Sequence, residues 1–441
     1  MDLARLDALA RTELDSTFKA LPLSSGERIA AADVGDRAWN VLRRDLDFPA
    51  MVIKADALAA NLELFAEFCR HNGVDHAPHG KTTMSPQIFA RQFDAGAWAI
   101  TAATVAQCRV YRQFGVRRIL LANELVDRPG LRWIAGELTA HPDFELLCYV
   151  DSADGVEIAN SVFREADSAR PLDVLVELGY PGGRSGCRTI EDALELVRRV
   201  NAASHLTLRG VAGFEGLIPG TDLDDVLVRG ESYLAELRAL IHRIDEDGLF
   251  PDDEELIATA GGSSYFDLVV AALGPRSFER PVRTVLRSGC YVTHDAHMFE
   301  MTSPFGARAG ASGRRLTPAL ELWATVWSRP EPGLAVVGFG KRDAPYDYGL
   351  PLPQAVLTPA DADSGSDSDS SSRSRDVAGA FTITALNDQH AFMTIPPEDG
   401  LAVGDLVRFG ISHPCGAFDK WKYVPLVDEE YTVIDGVFTF F

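Results

Sequence analysis

Chemistry could be done at one lysine, one arginine, two small-residue turns and a His-x-Cys pair. Lys81 lies in HAPHGKTTM (76–84), after a short strand-like run and before a capped helix. Its GKT invites a nucleotide phosphate loop, but that loop needs a glycine five residues before the GK glycine, and position 75 is Asp. GFGKRD (338–343) likewise lacks the third glycine of a dinucleotide fingerprint. A lysine at the C-terminal end of a barrel strand would sit at the mouth where barrel active sites are built. A partly desolvated amine there has a lowered pKa and can form a Schiff base; the alternative is a solvated surface lysine.

GYPGGRSG (179–186) follows another strand and sets Arg184 among glycines. The guanidinium offers a planar fork for an oxyanion, or the segment is a tight turn with an exposed arginine. ATAGGSSYFD (258–267) places Gly261, Gly262, Ser263 and Ser264 between a strand and a helix start, and LRSGCYV (286–292) adds a glycine turn at the next strand end. Free amides and hydroxyls at such turns suit a phosphate, and barrel phosphate sites follow the last two strands. In SHPC (412–415), His413 and Cys415 at i and i+2 of a strand would share a face and could hold zinc. The competing reading is a buried cysteine near an unrelated histidine.

The elements that must position these residues follow from periodicity. Residues 50 to about 290 alternate short β-branched runs with amphipathic stretches. The helix starts carry caps, Ser85-Pro86 before IFARQF and Asp151-Ser152 before EIANSVF. Alternating βα units over that length imply a parallel sheet, and eight of them close a TIM-like barrel. Nine candidate runs compete for the eight places, from MVIK (51–54) to VRTVLRSG (282–289), so periodicity leaves the register open. After residue 300 the runs ALELWATVWS, LAVVGFG, AFTITALN, LVRFGIS and YTVIDGVFTFF are strand-like with no helices between, which implies an antiparallel β domain. The expected division is a helical N-terminal segment 1–49 packing on either domain, a barrel 50–298 and a β domain 299–441. DADSGSDSDSSSRSRD (361–376) is low-complexity and reads as a disordered insertion within the β domain.

Composition excludes several functions. With 441 residues and 46% hydrophobic content a large core is affordable. A net charge of −22 argues against nucleic acid and anionic membranes as partners. The N-terminal stretch has no apolar leader core, and no apolar run approaches a membrane span. Six scattered cysteines without a CxxC read as reduced thiols, so a cytoplasmic protein is expected.

PHGKT, GGRSG, FEG (214–216), AGGSSYFD, RSGCYV, GFGKRDAPYD and SHPC stand in this order over residues 50 to 425, nearly the whole chain. In that order they resemble the D-serine dehydratase and D-threonine aldolase family, alanine-racemase-like enzymes dependent on pyridoxal 5′-phosphate (PLP). The resemblance implies a barrel followed by a β domain, with the lysine after the first barrel strand (75–78) and 51–54 before the barrel. It implies Lys81 as the Schiff-base lysine and Arg184 beside the cofactor ring. Gly261, Gly262, Ser263, Gly289 and Cys290 would form the phosphate turns, with Tyr291 following, and Arg287 would face the pyridine nitrogen. His413 and Cys415 match the zinc pair of the dehydratases, where the aldolases tend to carry His-x-Asp. The chain departs from the family in a longer turn at 179–184, and in Asp388-Gln389-His390 where relatives carry an acidic pair before the histidine; His390 is carried over only as a substrate contact.

The activity so implied is zinc-assisted β-elimination on D-serine or a related D-3-hydroxy amino acid, giving a 2-keto acid and ammonia, in a homodimer. The alternatives are retro-aldol cleavage to glycine and an aldehyde, and a non-catalytic PLP-binding protein. The β domain with its SHPC speaks against the last of these.

Overall fold

The computed structural model describes residues 1–251, 255–310, 313–358 and 373–441. Eight parallel strands make the barrel: β1 (Asp75–His76), β2 (Ile100–Ala102), β3 (Arg118–Glu124), β4 (Glu145–Val150), β5 (Leu172–Glu177), β6 (Leu206–Ala212), β7 (Leu256–Ala260) and β8 (Val282–Leu286). Hydrogen-bonded neighbours run from β2 through β8 in sequence order, and β8 pairs with β1. The ring closes where Trp98 N–H donates to His76 O at 2.7 Å and Thr101 N–H to Pro78 O at 2.9 Å. Ala77, Ala99, Leu120, Leu147, Tyr149, Leu175, Ala212, Ile257 and Val285 form a core of their own inside this ring. Strand alternation sends their sequence neighbours outward to the helices.

The helices form for the reasons their sequences suggest. Ser152 accepts from Gly155 N–H to cap Ala153–Glu165, and Thr189 does the same from Asp192 N–H for Ile190–Ala202. The latter buries Ala193, Leu194, Leu196, Val197 and Val200, a one-sided apolar stripe. Each buried Leu or Val on it contributes roughly 1.5–3 kcal/mol of transfer free energy, which outweighs propensity. Ser85 stands at the N-cap of Pro86–Asp94, but its side chain makes no capping bond and Pro86 sets the first turn.

The ninth apolar run lies outside the barrel. Strand Ala50–Lys54 pairs antiparallel with Leu320–Glu331 and parallel with Tyr423–Val427, so residues 50–54 belong to the β-domain sheet. Its residues 50–53 are all buried, which explains a continuous apolar run where a half-exposed strand would alternate. The chain therefore enters the β domain, leaves it to build the barrel, and returns.

Two further expectations change. The N-terminal segment is mostly irregular: it contains helix Leu3–Ala10, the short pair Glu13–Leu14 with Ile29–Ala30, and two 3-10 turns. It touches both domains, through Asp2 N–H to Phe114 O at 2.9 Å and Lys19 to Asp343 at 2.8 Å. Its buried apolar residues, such as Leu14, Leu21 and Val34, lack helical spacing and are held by tertiary packing. In the insertion, 361–372 lies outside the described residues, whereas Arg373–Asp376 forms a strand beside Leu352–Thr358. Arg375 donates to Asp399 at 2.9 Å, an ion pair that ties this strand to the sheet.

Candidate active site

Lys81 sits on the 3-10 turn Gly80–Thr82 just past β1, and it is solvent-exposed while Gly80, Thr82, Thr83 and Met84 are buried. The turn is held from across the barrel. A Cβ on Gly289, after β8, would lie 2.6 Å from His79 O and 2.7 Å from Thr82 Oγ1, so the residue there must be glycine for the two turns to meet. The buried Nδ1 of His79 has no hydrogen-bond partner among the described residues. Burial, then the positive charges of Lys81, Arg287 and Arg184, hold His79 well below its ordinary pKa, so it is neutral. Three cations thus converge on this mouth in a chain of strongly negative net charge, an arrangement that attracts an anionic ligand.

The arginines are held differently. Arg287 is buried, donating to Thr259 Oγ1 at 2.8 Å and Gly213 O at 2.7 Å, with its guanidinium 5.8 Å from the Tyr149 ring centroid. Arg184 is exposed and stands 5.2 Å from the Phe214 ring centroid. Its loop is braced by Arg188, which donates to Ser185 O at 2.6 Å, Gly186 O at 2.9 Å and Gly183 O at 3.0 Å.

The phosphate turns are only partly as expected. Gly261 has φ +93°, a left-handed conformation that favours glycine. Its amide and that of Gly262 are not free, because the buried Glu215 carboxylate accepts from them at 3.0 and 3.2 Å. A buried carboxylate gains about 1.5–3 kcal/mol per such bond, so Glu215 shapes the turn. Ser263 Oγ accepts from Cys290 N–H at 3.1 Å and keeps its own proton to donate, just ahead of helix Phe266–Leu273. Tyr291 turns away from the mouth: its ring lies 4.4 Å from that of Phe65, and its hydroxyl accepts from Gln92 at 3.3 Å. His390 occupies an exposed hairpin turn against Trp327, with ring centroids 5.5 Å apart, and none of its described contacts reaches the Lys81 turn.

His413 and Cys415 do come together, although not on a strand. The strand ends at Gly410, Pro414 has no amide to extend the ladder, and Cys415 begins the short helix Cys415–Phe418. Cys290 joins them, with its Sγ 3.5 Å from Cys415 Sγ, and the ligand atoms of all three lie within 4.8 Å of one another. Thr82, next to Lys81, is 3.4 Å from Cys415 Sγ and 3.8 Å from Cys290 Sγ. The hydrogen bond from Cys290, and then His413, holds the Cys415 thiol well below its ordinary pKa despite burial, while Cys290 is pushed up. Burial opposes charge on His413, but its bond to Cys415 and the Asp347 and Asp295 carboxylates raise its pKa. A thiolate beside an imidazole is a ready donor set for a soft cation.

Sequence reading missed a second group of residues. Glu124 at the end of β3 and Glu177 at the end of β5 act on one another, and among the described residues neither Glu124 Oε1 nor Glu177 Oε2, both buried, has a hydrogen-bond partner. Burial, then Glu177, pushes the Glu124 pKa up to about 8, so Glu124 keeps its proton at neutral pH. LANELV and VLVELGY look like ordinary strand ends. The available signal was that both glutamates end strands on the side where barrel sites lie.

Known proteins resemble this chain over much of its length. Residues 53–304 match the alanine racemase N-terminal domain family, and residues 319–427 match a putative serine dehydratase domain. The chain belongs to the alanine racemase N-terminal domain family, the fold-type III group of PLP enzymes. A 3-hydroxy-D-aspartate aldolase of Paracoccus denitrificans (strain Pd 1222) is 23% identical over 316 residues, 70% of this chain and 75% of the relative. A D-threo-3-hydroxyaspartate dehydratase of Delftia sp. (strain HT23) is 29% identical over 141 residues, 32% of this chain and 36% of that one. D-threonine aldolase from Filomicrobium marinum shares the fold with a TM-score of 0.72 at 22% identity, covering 90% of this chain and 95% of its own. These relatives are lyases. Among the described residues, no helix is long and apolar enough to cross a membrane.

PLP fits the residues present. Lys81 is exposed on a turn otherwise buried, cations surround the buried orphan nitrogen of His79, and the glycine-lined approach of the 79–82 and 289 backbones leaves the lysine turn facing Ser263 and Cys290.

Proposed function

We propose that the chain is a PLP-dependent lyase that eliminates water from D-serine or a related D-3-hydroxy amino acid, giving a 2-keto acid and ammonia. The observation that carries the reading is the His413–Cys415 pair set against Thr82, the residue after the lysine. PLP held by Lys81 supplies an electron sink for the pair released at Cα. The Lys81 amine would serve as the base that takes the Cα proton. Arg287, fixed by Thr259 and Gly213, would face the ring nitrogen, and because a guanidinium does not release its proton it would leave that nitrogen unprotonated and the ring a weaker electron sink. Ser263 and the 289–290 turn would hold the phosphate, and Arg184 the ring edge. His413 and Cys415 would hold a divalent cation, zinc by their softness, whose Lewis acidity makes the β-hydroxyl a better leaving group. Proton loss at Cα and hydroxide loss at Cβ together remove water, and the released enamine hydrolyses to keto acid and ammonia.

A related structure supports the metal reading: a cysteine-to-alanine variant of a D-threo-3-hydroxyaspartate dehydratase is described in a metal-free form. A homodimer belongs to the same reading, and Met301, Tyr346 and Tyr348, exposed on elements flanking His413, offer apolar surface for it. Retro-aldol cleavage is the second reading, favoured by the aldolases among the relatives. Incubation with D-serine, D-threonine and D-3-hydroxyaspartate, assayed for keto acid against glycine plus aldehyde, separates the two. Keto acid is expected; glycine from the longer substrates, without keto acid from any, would overturn the dehydratase assignment.

A further inference from the structure

We infer that Cys290 is a third protein ligand of the cation held by His413 and Cys415, making a two-thiolate, one-imidazole centre with one position left for substrate. This rests on the metal reading above and adds a residue to it. Motif reading places Cys290 in a phosphate turn, but only its backbone serves there. Its amide donates to Ser263 Oγ at 3.1 Å, and its thiol lies 3.5 Å from Cys415 Sγ.

The sulfur separation decides between three uses of two neighbouring cysteines. A disulfide needs about 2.05 Å. Two sulfurs bound to one tetrahedral zinc at about 2.3 Å each lie about 3.8 Å apart. The observed 3.5 Å falls near the second value and far from the first, and His413 completes the cluster within 4.8 Å. Simple packing is the third use. Yet the described polar contacts of both thiols are with one another, with Thr82 and, for Cys415, with His413, so the pocket around them is polar. The Asp295 and Asp347 carboxylates act on His413 from nearby, so the surroundings favour a cation between the ligands.

The three ligands come from different parts of the molecule. Cys290 follows β8 of the barrel, and His413 and Cys415 belong to the β domain. Two thiolates neutralise a divalent charge and select a soft metal over magnesium or calcium. Three protein ligands with one open position is also the coordination of catalytic zinc sites, where structural sites are closed by four.

The test exchanges the native metal for cobalt in the holoprotein under reducing conditions and reads the thiolate-to-cobalt charge-transfer band with the metal content per chain. Cys290→Ser should lower the band to about half with cobalt still bound, and should weaken metal retention against a chelator about 10- to 100-fold. Cys108→Ser, buried in a barrel helix, should change neither. X-ray absorption at the zinc edge of the unaltered holoprotein counts sulfur neighbours independently of any variant, and two are expected. One sulfur, or a full-intensity band in Cys290→Ser, would overturn the role of Cys290 alone. A wild-type protein that takes up no metal would instead sink the metal part of the proposed function.

Discussion

The two flanks of the barrel mouth are built on opposite principles. On the flank formed by β1, β7 and β8, function rests on backbone approach: Gly289 lets the lysine turn close in, Gly261 takes a left-handed bend, and the 3.5 Å Cys290–Cys415 contact brings in the β domain. On the flank formed by β3, β4 and β5, it rests on buried carboxyls: Glu124 keeps its proton to about pH 8 beside Glu177 and near Tyr149, whose hydroxyl has no partner among the described residues. The first flank tolerates almost no added volume and carries exposed Lys81. The second holds a proton on Glu124 that is lost as pH rises through about 8. Geometry constrains one side and electrostatics the other, so different substitutions should expose each.

The largest effect is expected on the first flank. Lys81→Ala should lower kcat/KM by at least about 10³-fold and abolish borohydride-fixed cofactor, with little change in folding because the side chain is exposed. Retained covalent labelling would mean that another amine holds the cofactor. Gly289→Ala should come next. Its Cβ meets backbone at 2.6 Å, so the turn must shift, and about 2 kcal/mol of stability should be lost in urea denaturation. An unchanged midpoint would show that the two turns are not rigidly coupled.

The smallest effect belongs to the second flank. In an unfolded chain glutamate titrates near about 4.3, whereas folded Glu124 holds its proton up to about pH 8. Between those values the folded state binds more protons, so this contribution is full below the lower one, falls as pH rises through about 8 and is level above it. Glu177→Gln removes a like charge and should bring Glu124 part of the way back. Burial, the larger cause, remains. The difference in stability between pH 6 and 9 should therefore shrink by about 1 kcal/mol, allowing for solvent screening of the half-buried Glu124. Identical pH profiles for the two proteins would mean that the carboxyls titrate independently.

The flanks also differ in how legible they are from residues alone. Backbone devices leave compositional traces, because glycine, small hydroxyls and Pro-broken strand ends are needed wherever chains meet closely. That is why the Lys81 turn, the Gly261 bend and the SHPC segment could be picked out. Tertiary partners left no such trace. Nothing near Gly261 in sequence announces that Glu215 occupies its amide, and nothing in RSGCYV separates the amide of Cys290 from its thiol. Tyr291 follows the right turn but belongs to an aromatic cluster with Phe65 and His76. The strand Ala50–Lys54 was recognisable as a strand, yet its sheet was not, because continuous apolar runs suit any doubly covered position.

That strand has a consequence for synthesis. Ile53 pairs with Leu320, some 270 residues further along the chain, a highly non-local contact. At translation rates of about 5–20 residues per second, Met51, Val52 and Ile53 wait on the order of ten seconds to a minute for their partners. Meanwhile every strand of the barrel has been made and can close its ring. The nascent protein therefore passes through a stage with a finished barrel and one bare apolar strand on its leading end, a ready target for chaperones or for a neighbouring chain on the same polysome.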